Sequence, residues 1–201
     1  MIELPKLKLI HNPNYVSFFP RVVAELIDDL SYMAWLPITL WYLAGSSLQT
    51  LFSDVVSAIA LIVFPGVFMN LTRVYLIHHT GQTFGKMIVG IEVRNAKKEL
   101  LTWKRAFFRE SWGKLISGYI FGAGYLWVLF DRKHQSWHDY FVGSFVYEKY
   151  KNVMLGVVVL VVLAAGYAMA FSVIGKRFEA HLGREIRQIE KQQEAQQRLK
   201  M

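Results

Sequence analysis

The sequence predicts an all-α membrane protein, a small polytopic helical bundle with a short cytoplasmic β-hairpin and a C-terminal amphipathic helix. Three observations predict this class. Hydrophobic residues occupy 54% of the 201 positions and charged residues only 19%, which is too apolar for one ordinary soluble core. Three to four apolar segments approach the length that crosses a bilayer. Lysine and arginine are concentrated in the segments that flank them.

The charge and the residue types exclude several functional classes. The net charge is +8, but its position beside apolar segments indicates contact with the bilayer and its anionic headgroups, so we expect no nucleic-acid partner. The absence of cysteine excludes disulfides, thiolate metal sites and a cysteine nucleophile. No nucleophile, oxyanion donor or cofactor motif stands out, so we expect neither an enzyme nor a cofactor or bound metal.

The first two apolar segments are predicted to form a helical hairpin. Residues 19–44 and 51–78 each exceed the ~20 residues that span ~30 Å of hydrocarbon. The connection between them has no lysine or arginine, whereas residues 80–113 carry many. The positive-inside rule therefore predicts that both ends of the hairpin are cytoplasmic. Residues 1–18 lack the apolar core and cleavage site of a signal peptide, so they are predicted to be a retained cytoplasmic tail.

The basic stretch after the second span predicts two further elements. Within residues 87–102, Ile91 and Val93 alternate with charged residues, NAKK is typical of a turn, and ELLT is predicted to return as the second strand of a β-hairpin. The following residues predict a helix that begins at Thr102 and carries an aromatic face beside a basic one. This composition is typical of a helix in the headgroup layer.

The third apolar segment, residues 115–130, is short. Its 16 residues would extend only ~24 Å as a helix, and they include Gly118, Gly122 and Gly124. The segment either crosses a thinned bilayer with close packing at Gly118-x-x-x-Gly122, or breaks at FGAGY and returns as a re-entrant hairpin. A loop, residues 131–150, follows, and then a featureless transmembrane anchor, residues 153–174, and a charged amphipathic tail, residues 175–201.

Four ionisable residues at the start of the first span are the strongest functional signal. At 100° per residue, Arg21, Glu25, Asp28 and Asp29 share one helical arc of about 100°. Charges at membrane depth are costly and mark functional sites by default. Arg73, in the antiparallel second span, is predicted to match the depth of Asp28.

Two interpretations of these charges stay open. In one, Arg73 and Asp28 form a neutral buried pair that locks the helical hairpin. In the other, Asp28 is the leading ligand of a cation or proton site, with Asp29 and Glu25 as auxiliary carboxylates. Clustered carboxylates raise one another's pKa, and three acids against two arginines leave a spare negative charge.

Three ordered blocks of sequence resemble the RDD family of membrane proteins. They are Arg21-VVAELI-Asp28, GQTFGKMIVGIEVRN after the second span, and DRKHQSWHDYFVGSFVYEK after the third segment. The resemblance assigns the arginine and two aspartates of the family name to Arg21, Asp28 and Asp139, so Asp29 is an extra carboxylate. It implies a polytopic domain over residues 19–148 in a bacterial inner membrane. Ligand or ion transport has been proposed for the family, and some members have been linked to sodium/proton exchange.

The residues of the family motif that lie in loops are Gly81, Gly85, Lys86, His138 and Asp139. We expect Lys86 near lipid headgroups, and Asp139 either as a helix cap or as the partner of Arg21. If Asp139 pairs with Arg21, the third segment must re-enter, and VGSFVYEK could then add a strand to the hairpin.

Two functional classes follow. The protein either transports or senses a monovalent cation or proton, or it is a non-transporting scaffold or accessory subunit that recruits membrane protein partners. Two or three spans are few for a complete transport pathway, so the first class favours a homo-oligomer, with the Gly118 to Gly124 face as its interface.

Overall fold

The computed structural model describes residues 15–43 and 55–198. The chain divides into two compact units. The described part of unit 1 is residues 15–29 and Val67–Val161, and that of unit 2 is residues 30–43, 55–66 and 162–198. The predicted tail up to residue 14, the connection between the first two apolar segments and the last three residues lie outside the described residues.

The first two apolar segments are helical where they are described. They form α1 (Phe18–Met33), α2 (Trp35–Leu43) and α3 (Val55–Thr80). In unit 1, the buried apolar side chains of α1 and α3 include Val23, Ala24, Ile27, Val74 and Ile77. In unit 2, the Tyr167 hydroxyl donates to the Leu30 carbonyl at 2.7 Å, and Arg177 lies 4.2 Å from the centre of the Trp41 ring.

The predicted β-hairpin is wrong in its partner strand. Residues 84–89 form a short helix, α4 (Phe84–Val89), and β1 (Ile91–Asn95) pairs antiparallel with β2 (Ser144–Glu148), with Val93 opposite Val146. The predicted NAKK turn is present. The side-chain amide oxygen of Asn95 accepts hydrogen bonds from the backbone N–H groups of Lys97 and Glu99 and so stabilises it. ELLT then leaves the sheet, since Leu101 is buried elsewhere and its carbonyl contacts the His78 ring at 2.8 Å.

The predicted amphipathic helix is present and longer than expected. It begins as α5 (Trp103–Phe108), continues through a π-helical turn (Arg109–Gly113) and ends as α6 (Lys114–Tyr119). Thr102 occupies the N-cap position, but its side chain makes no capping hydrogen bond.

The third apolar segment is not one straight helix. After α6 the chain reverses at Phe121 and Gly122, whose φ angles are 47° and 74°, and it continues as α7 (Ala123–Leu126) and a 3₁₀ turn (Trp127–Leu129). The two arms of this hairpin, α6 and α7, pack closely against each other. A Cβ atom added to Gly124 would lie only 2.5 Å from the Ser117 Cα. Gly124 therefore packs against Ser117 of the same hairpin, where a larger residue would not fit.

The last elements are α8 (Trp137–Val142), β2 and α9 (Val153–Arg198). The predicted anchor and the predicted tail are one continuous helix of 46 residues. Among the described residues, α9 is the one helix that is long and apolar enough to cross a membrane by length and composition. The larger number of spans stays a prediction.

Candidate functional site

Among the described residues, ten ionisable side chains of unit 1 form one connected network of ion pairs. The basic members are Arg21, Arg73, Lys86, Arg109 and Lys114, and the acidic members are Glu25, Asp28, Asp29, Glu110 and Asp139. Five positive and five negative charges leave the network neutral. The spare negative charge expected from the sequence is therefore absent from this network, because three more basic residues and two more acids join it.

Asp139 connects two arginines at one end of the network. Its carboxylate lies 2.7 Å from Arg21 Nη1 and 2.9 Å from Arg109 Nη2, and it accepts hydrogen bonds from the Ser136 and Ser144 hydroxyls at 2.8 and 2.9 Å. Ser136 and Asp139 also form a capping box at the start of α8. Both roles predicted for Asp139, helix cap and Arg21 partner, are present.

Asp28 lies in a closed environment on the buried face of α1. Its carboxylate accepts hydrogen bonds from the Thr83 hydroxyl and, at 2.7 Å, from the Gly85 backbone N–H, and it lies 3.6 Å from Lys86 Nζ. The side chain has no exposed surface. Asp28 thus accepts N–H and O–H donors at the start of α4, where the orphan N–H groups of a helix lie.

Arg73 lies beside the acids of α1, but it pairs with a different acid from the one expected. Its Nη2 atom lies 2.5 Å from Asp29 Oδ1, and its Nη1 atom lies 3.5 Å from Glu25 Oε1. The expected Arg73–Asp28 pair is therefore wrong. Thr83 and the start of α4 already satisfy the Asp28 carboxylate, so Arg73 contacts Asp29 and Glu25 instead.

Glu25 is the acid with the most basic partners. Its carboxylate contacts Arg73, the Lys114 ammonium and, at 3.3 Å, the Lys86 ammonium. Lys86 was expected near lipid headgroups, but only 4% of it is exposed, and its ammonium also donates to Thr83 Oγ1 at 3.1 Å. The side chain of Lys86 turns inward because two carboxylates lie there to compensate its charge.

The π-helical turn contributes two members of the ionic network, Arg109 and Glu110, that the sequence analysis did not predict. Arg109 and Glu110 are adjacent in the chain, yet both are buried, and Lys114 lies 2.7 Å from the second oxygen of Glu110. Burial alone would raise the pKa of Glu110, but the charges of Lys114 and Arg109 outweigh it and lower the pKa to about 2. The i, i+4 spacing of Glu110 and Lys114 was the available signal, although the same spacing is common on solvated helices.

A cavity of about 290 Å³ lies beside the network within unit 1. The charged side chains on its wall are Arg21, Glu25, Asp29, Lys86 and Arg109, and apolar side chains make up much of the remainder. Asp28 is not part of the wall. A ligand in this cavity would contact Glu25 and Asp29, whose side chains are 24% and 47% exposed.

The motif residues that were predicted to lie in loops surround this network, but only Gly81 lies outside a helix. Gly85 and Lys86 belong to α4, and His138 and Asp139 belong to α8. The Gly81 carbonyl accepts a hydrogen bond from the Val93 N–H at 2.7 Å, which ties the end of α3 to β1. Gly85 lies directly against the backbone of α1. His138 is buried, with its ring nitrogens 2.8 Å from Ser136 Oγ and 3.2 Å from Ser117 Oγ. Among the described residues, no three His, Asp or Glu side chains are grouped as a metal site requires.

His138 should make the stability of the protein depend on pH. Burial lowers its pKa from 6.5 to about 3, although the neighbouring Asp139 acts in the opposite direction. Between these values the unfolded state binds a proton that the folded state does not, so the free energy of unfolding should fall by up to about 1.4 kcal/mol per pH unit as the pH drops below 6.5. The measurement is the unfolding midpoint in detergent between pH 7 and pH 5.

The matched comparison for this prediction is His138→Gln against the exposed His79→Gln. The first variant should flatten the pH dependence, and the second should leave it as in the wild type. An equal slope in both variants would assign the dependence to other groups.

The RDD family profile matches residues 15–143, which contain all ten members of the ionic network. No curated protein and no solved structure matches significantly. The matched residues cover well over half of the 201 positions, and the match includes the first two blocks that suggested the family and the third block as far as Gly143. The chain therefore belongs to the RDD family, and this family together with the apolar helix α9 indicates a membrane protein.

Proposed function

We propose that this protein exchanges a monovalent cation for a proton across a membrane, with Glu25 as the carboxylate that binds the cation. The position of Glu25 carries the proposal: it lies on the cavity wall and contacts two lysine ammonium groups. Ionisable side chains at membrane depth are candidates for ion and proton pathways. Asp29 lies on the same wall and is the second carboxylate of the site.

Lysine gives this site an exchangeable proton, which arginine could not supply. When a cation binds the Glu25 carboxylate in place of the Lys114 ammonium, Lys114 releases one proton as it becomes a neutral amine. One positive charge enters and one leaves, so the network stays neutral. The exchange couples one cation to one proton, and it runs in reverse when a proton returns to Lys114.

The electrostatics around Lys114 support this coupling. Burial acts to lower the pKa of Lys114, but the carboxylates of Glu110 and Glu25 hold it above its ordinary value. A cation on Glu25 offsets one of these carboxylates. The pKa of Lys114 then falls, because the effect of burial remains while part of the opposing charge is cancelled.

The proposed setting is the inner membrane of a bacterium, with a polytopic arrangement and a cytoplasmic N-terminus. The lysine and arginine content of residues 80–113 supports this orientation. A homo-oligomer would supply the remainder of a pathway for which one chain has few spans.

A second candidate, a non-transporting scaffold or accessory subunit, is favoured by the neutrality of the network. Every acid in it already has a basic partner, as expected for charges whose role is to hold helices and loops together. The experiment below separates the two candidates.

The test is cation-dependent proton flux in proteoliposomes that contain the purified protein and an internal pH-sensitive dye. Sodium, potassium or lithium chloride is added outside, and the rate of the internal pH change is measured. We expect flux with at least one of these cations. Glu25→Gln should reduce it by at least about tenfold, equivalent to the loss of about 1.4 kcal/mol of interaction at the site.

Two further variants make the test specific. Lys114→Arg keeps a positive charge beside Glu25 but removes the exchangeable proton, so it should abolish flux while the protein remains folded. The exposed Glu148→Gln should behave as the wild type. No flux with folded wild-type protein would favour the scaffold, and undiminished flux in Glu25→Gln or Lys114→Arg would exclude the corresponding residue.

A further inference from the structure

The backbone of the third apolar segment is too short to cross a bilayer. The helix α6 has six residues and α7 has four, so they extend about 9 Å and about 6 Å, against ~30 Å of hydrocarbon. Between them the chain turns back on itself, and the Gly122 N–H donates to the Gly118 carbonyl at 3.1 Å. The Tyr125 hydroxyl contacts the Lys114 carbonyl at 3.4 Å, so the arms lie side by side.

Both ends of this hairpin are attached to the same small framework. Arg109, before the hairpin, lies 2.9 Å from Asp139, which follows it. The chain after the hairpin also supplies β2, which pairs with β1 from before it. Ends joined by an ion pair and a sheet cannot lie on opposite faces of a membrane.

The tip of the hairpin carries the two most exposed large hydrophobic side chains among the described residues, Phe121 and Tyr119. The exposed fractions of Tyr119, Ile120 and Phe121 are 88%, 51% and 100%. No charged residue occurs between residues 115 and 130. Exposed basic side chains precede and follow the hairpin in the chain, and they can meet anionic headgroups: Lys104, Arg105, Arg132 and Lys133.

We infer that residues 115–130 form a re-entrant hairpin whose tip, Tyr119 to Phe121, enters the bilayer from the face on which β1 and β2 lie. The occupant of this apolar surface is lipid: an uncharged aromatic tip above a basic base matches the order of acyl chains and headgroups in one leaflet. Each backbone group in such a hairpin needs protein partners, and the tight packing of Gly124 on Ser117 brings the two arms close enough to supply them.

Single-cysteine labelling tests this inference directly, because the chain has no cysteine of its own. The variants are Thr102→Cys and Lys133→Cys, exposed positions before and after the hairpin that serve as its base positions. They are joined by Phe121→Cys and Tyr119→Cys at the tip, and by the exposed Lys97→Cys in the β1 turn as a control. A membrane-impermeant maleimide is applied to the two faces separately, in right-side-out and inside-out vesicles. We expect the two base positions and the control to be labelled from one and the same face, and the tip positions from neither.

A second measurement identifies what covers the tip. The tip cysteines carry a bimane fluorophore in proteoliposomes of phosphatidylethanolamine and phosphatidylglycerol with brominated acyl chains. We expect quenching at the tip several times that at Lys97→Cys. Labelling of the two base positions from opposite faces would show a full crossing and overturn the inference. A tip labelled from water, or protected but not quenched, would overturn it equally, since the surface would then face solvent or another protein.

Discussion

The Asp139→Asn variant should have a much lower unfolding midpoint than the wild type in detergent. The substitution keeps the shape of the side chain but removes the charge that faces Arg21 and Arg109, and Arg109 is only 2% exposed. Removal of one partner from a buried ion pair costs about 3–5 kcal/mol, which is a large part of the roughly 5–15 kcal/mol that holds a typical domain folded. The capping box of α8 would lose its anionic acceptor as well.

The measurement is thermal unfolding followed by size-exclusion chromatography, with the exposed Glu148→Gln as the matched loss of one carboxylate. Equal unfolding midpoints in the two variants would show that the buried pairs contribute little. The charge-exchanged variant with Arg21→Asp and Asp139→Arg should not recover. Although the two residues face each other, the introduced arginine would lie against Arg109, so the exchange creates a new repulsion.

Local periodicity predicted the part of the site that lies on one helix. Arg21, Glu25, Asp28 and Asp29 share an arc at 100° per residue, and the structure directs all four into the same network. The position of Arg73 beside these acids also followed from helix geometry, because two antiparallel helices have a fixed rise per residue. The pairing of Arg73 with Asp29 and not with Asp28 could not be predicted in this way. It depends on Thr83 and Gly85, which bind Asp28 and lie more than fifty residues away from it in the chain.

The partner of β1 could not be predicted from its own neighbourhood. ELLT and SFVYE are both short, apolar and able to pair, and only the return of the chain through the hairpin of residues 115–130 brings the second beside β1. The burial of Glu110 depends on a π-helical turn, which shifts the helix register without a recognisable local pattern. The prediction that Lys86 lies near lipid headgroups was wrong because its partners are distant in sequence. Its position is determined by Glu25 and Asp28, which lie about sixty residues earlier in the chain.

The Gly85→Ala variant should destabilise the protein through the contact between α4 and α1. A Cβ atom at this position would lie 2.0 Å from the Ala24 carbonyl oxygen, which belongs to the helix backbone and cannot rotate away. The start of α4 must move, and the hydrogen bond from the Gly85 N–H to Asp28 must lengthen from its 2.7 Å. Overpacking costs about 1–3 kcal/mol and a hydrogen bond to a charged group about 1.5–3 kcal/mol, so we expect a loss of about 3 kcal/mol or more.

The control is Gly175→Ala, since an added Cβ there would meet no atom within 4 Å and alanine favours a helix interior. Its unfolding midpoint should stay equal or rise. If the Gly85 effect acts through Asp28, then Asp28→Asn combined with Gly85→Ala should cost less than the sum of the two single changes, because both weaken the same hydrogen bond. Strict additivity would instead assign the whole effect of Gly85→Ala to the clash with α1. The role of Asp28 would then rest on its contacts with Thr83 and Lys86 alone.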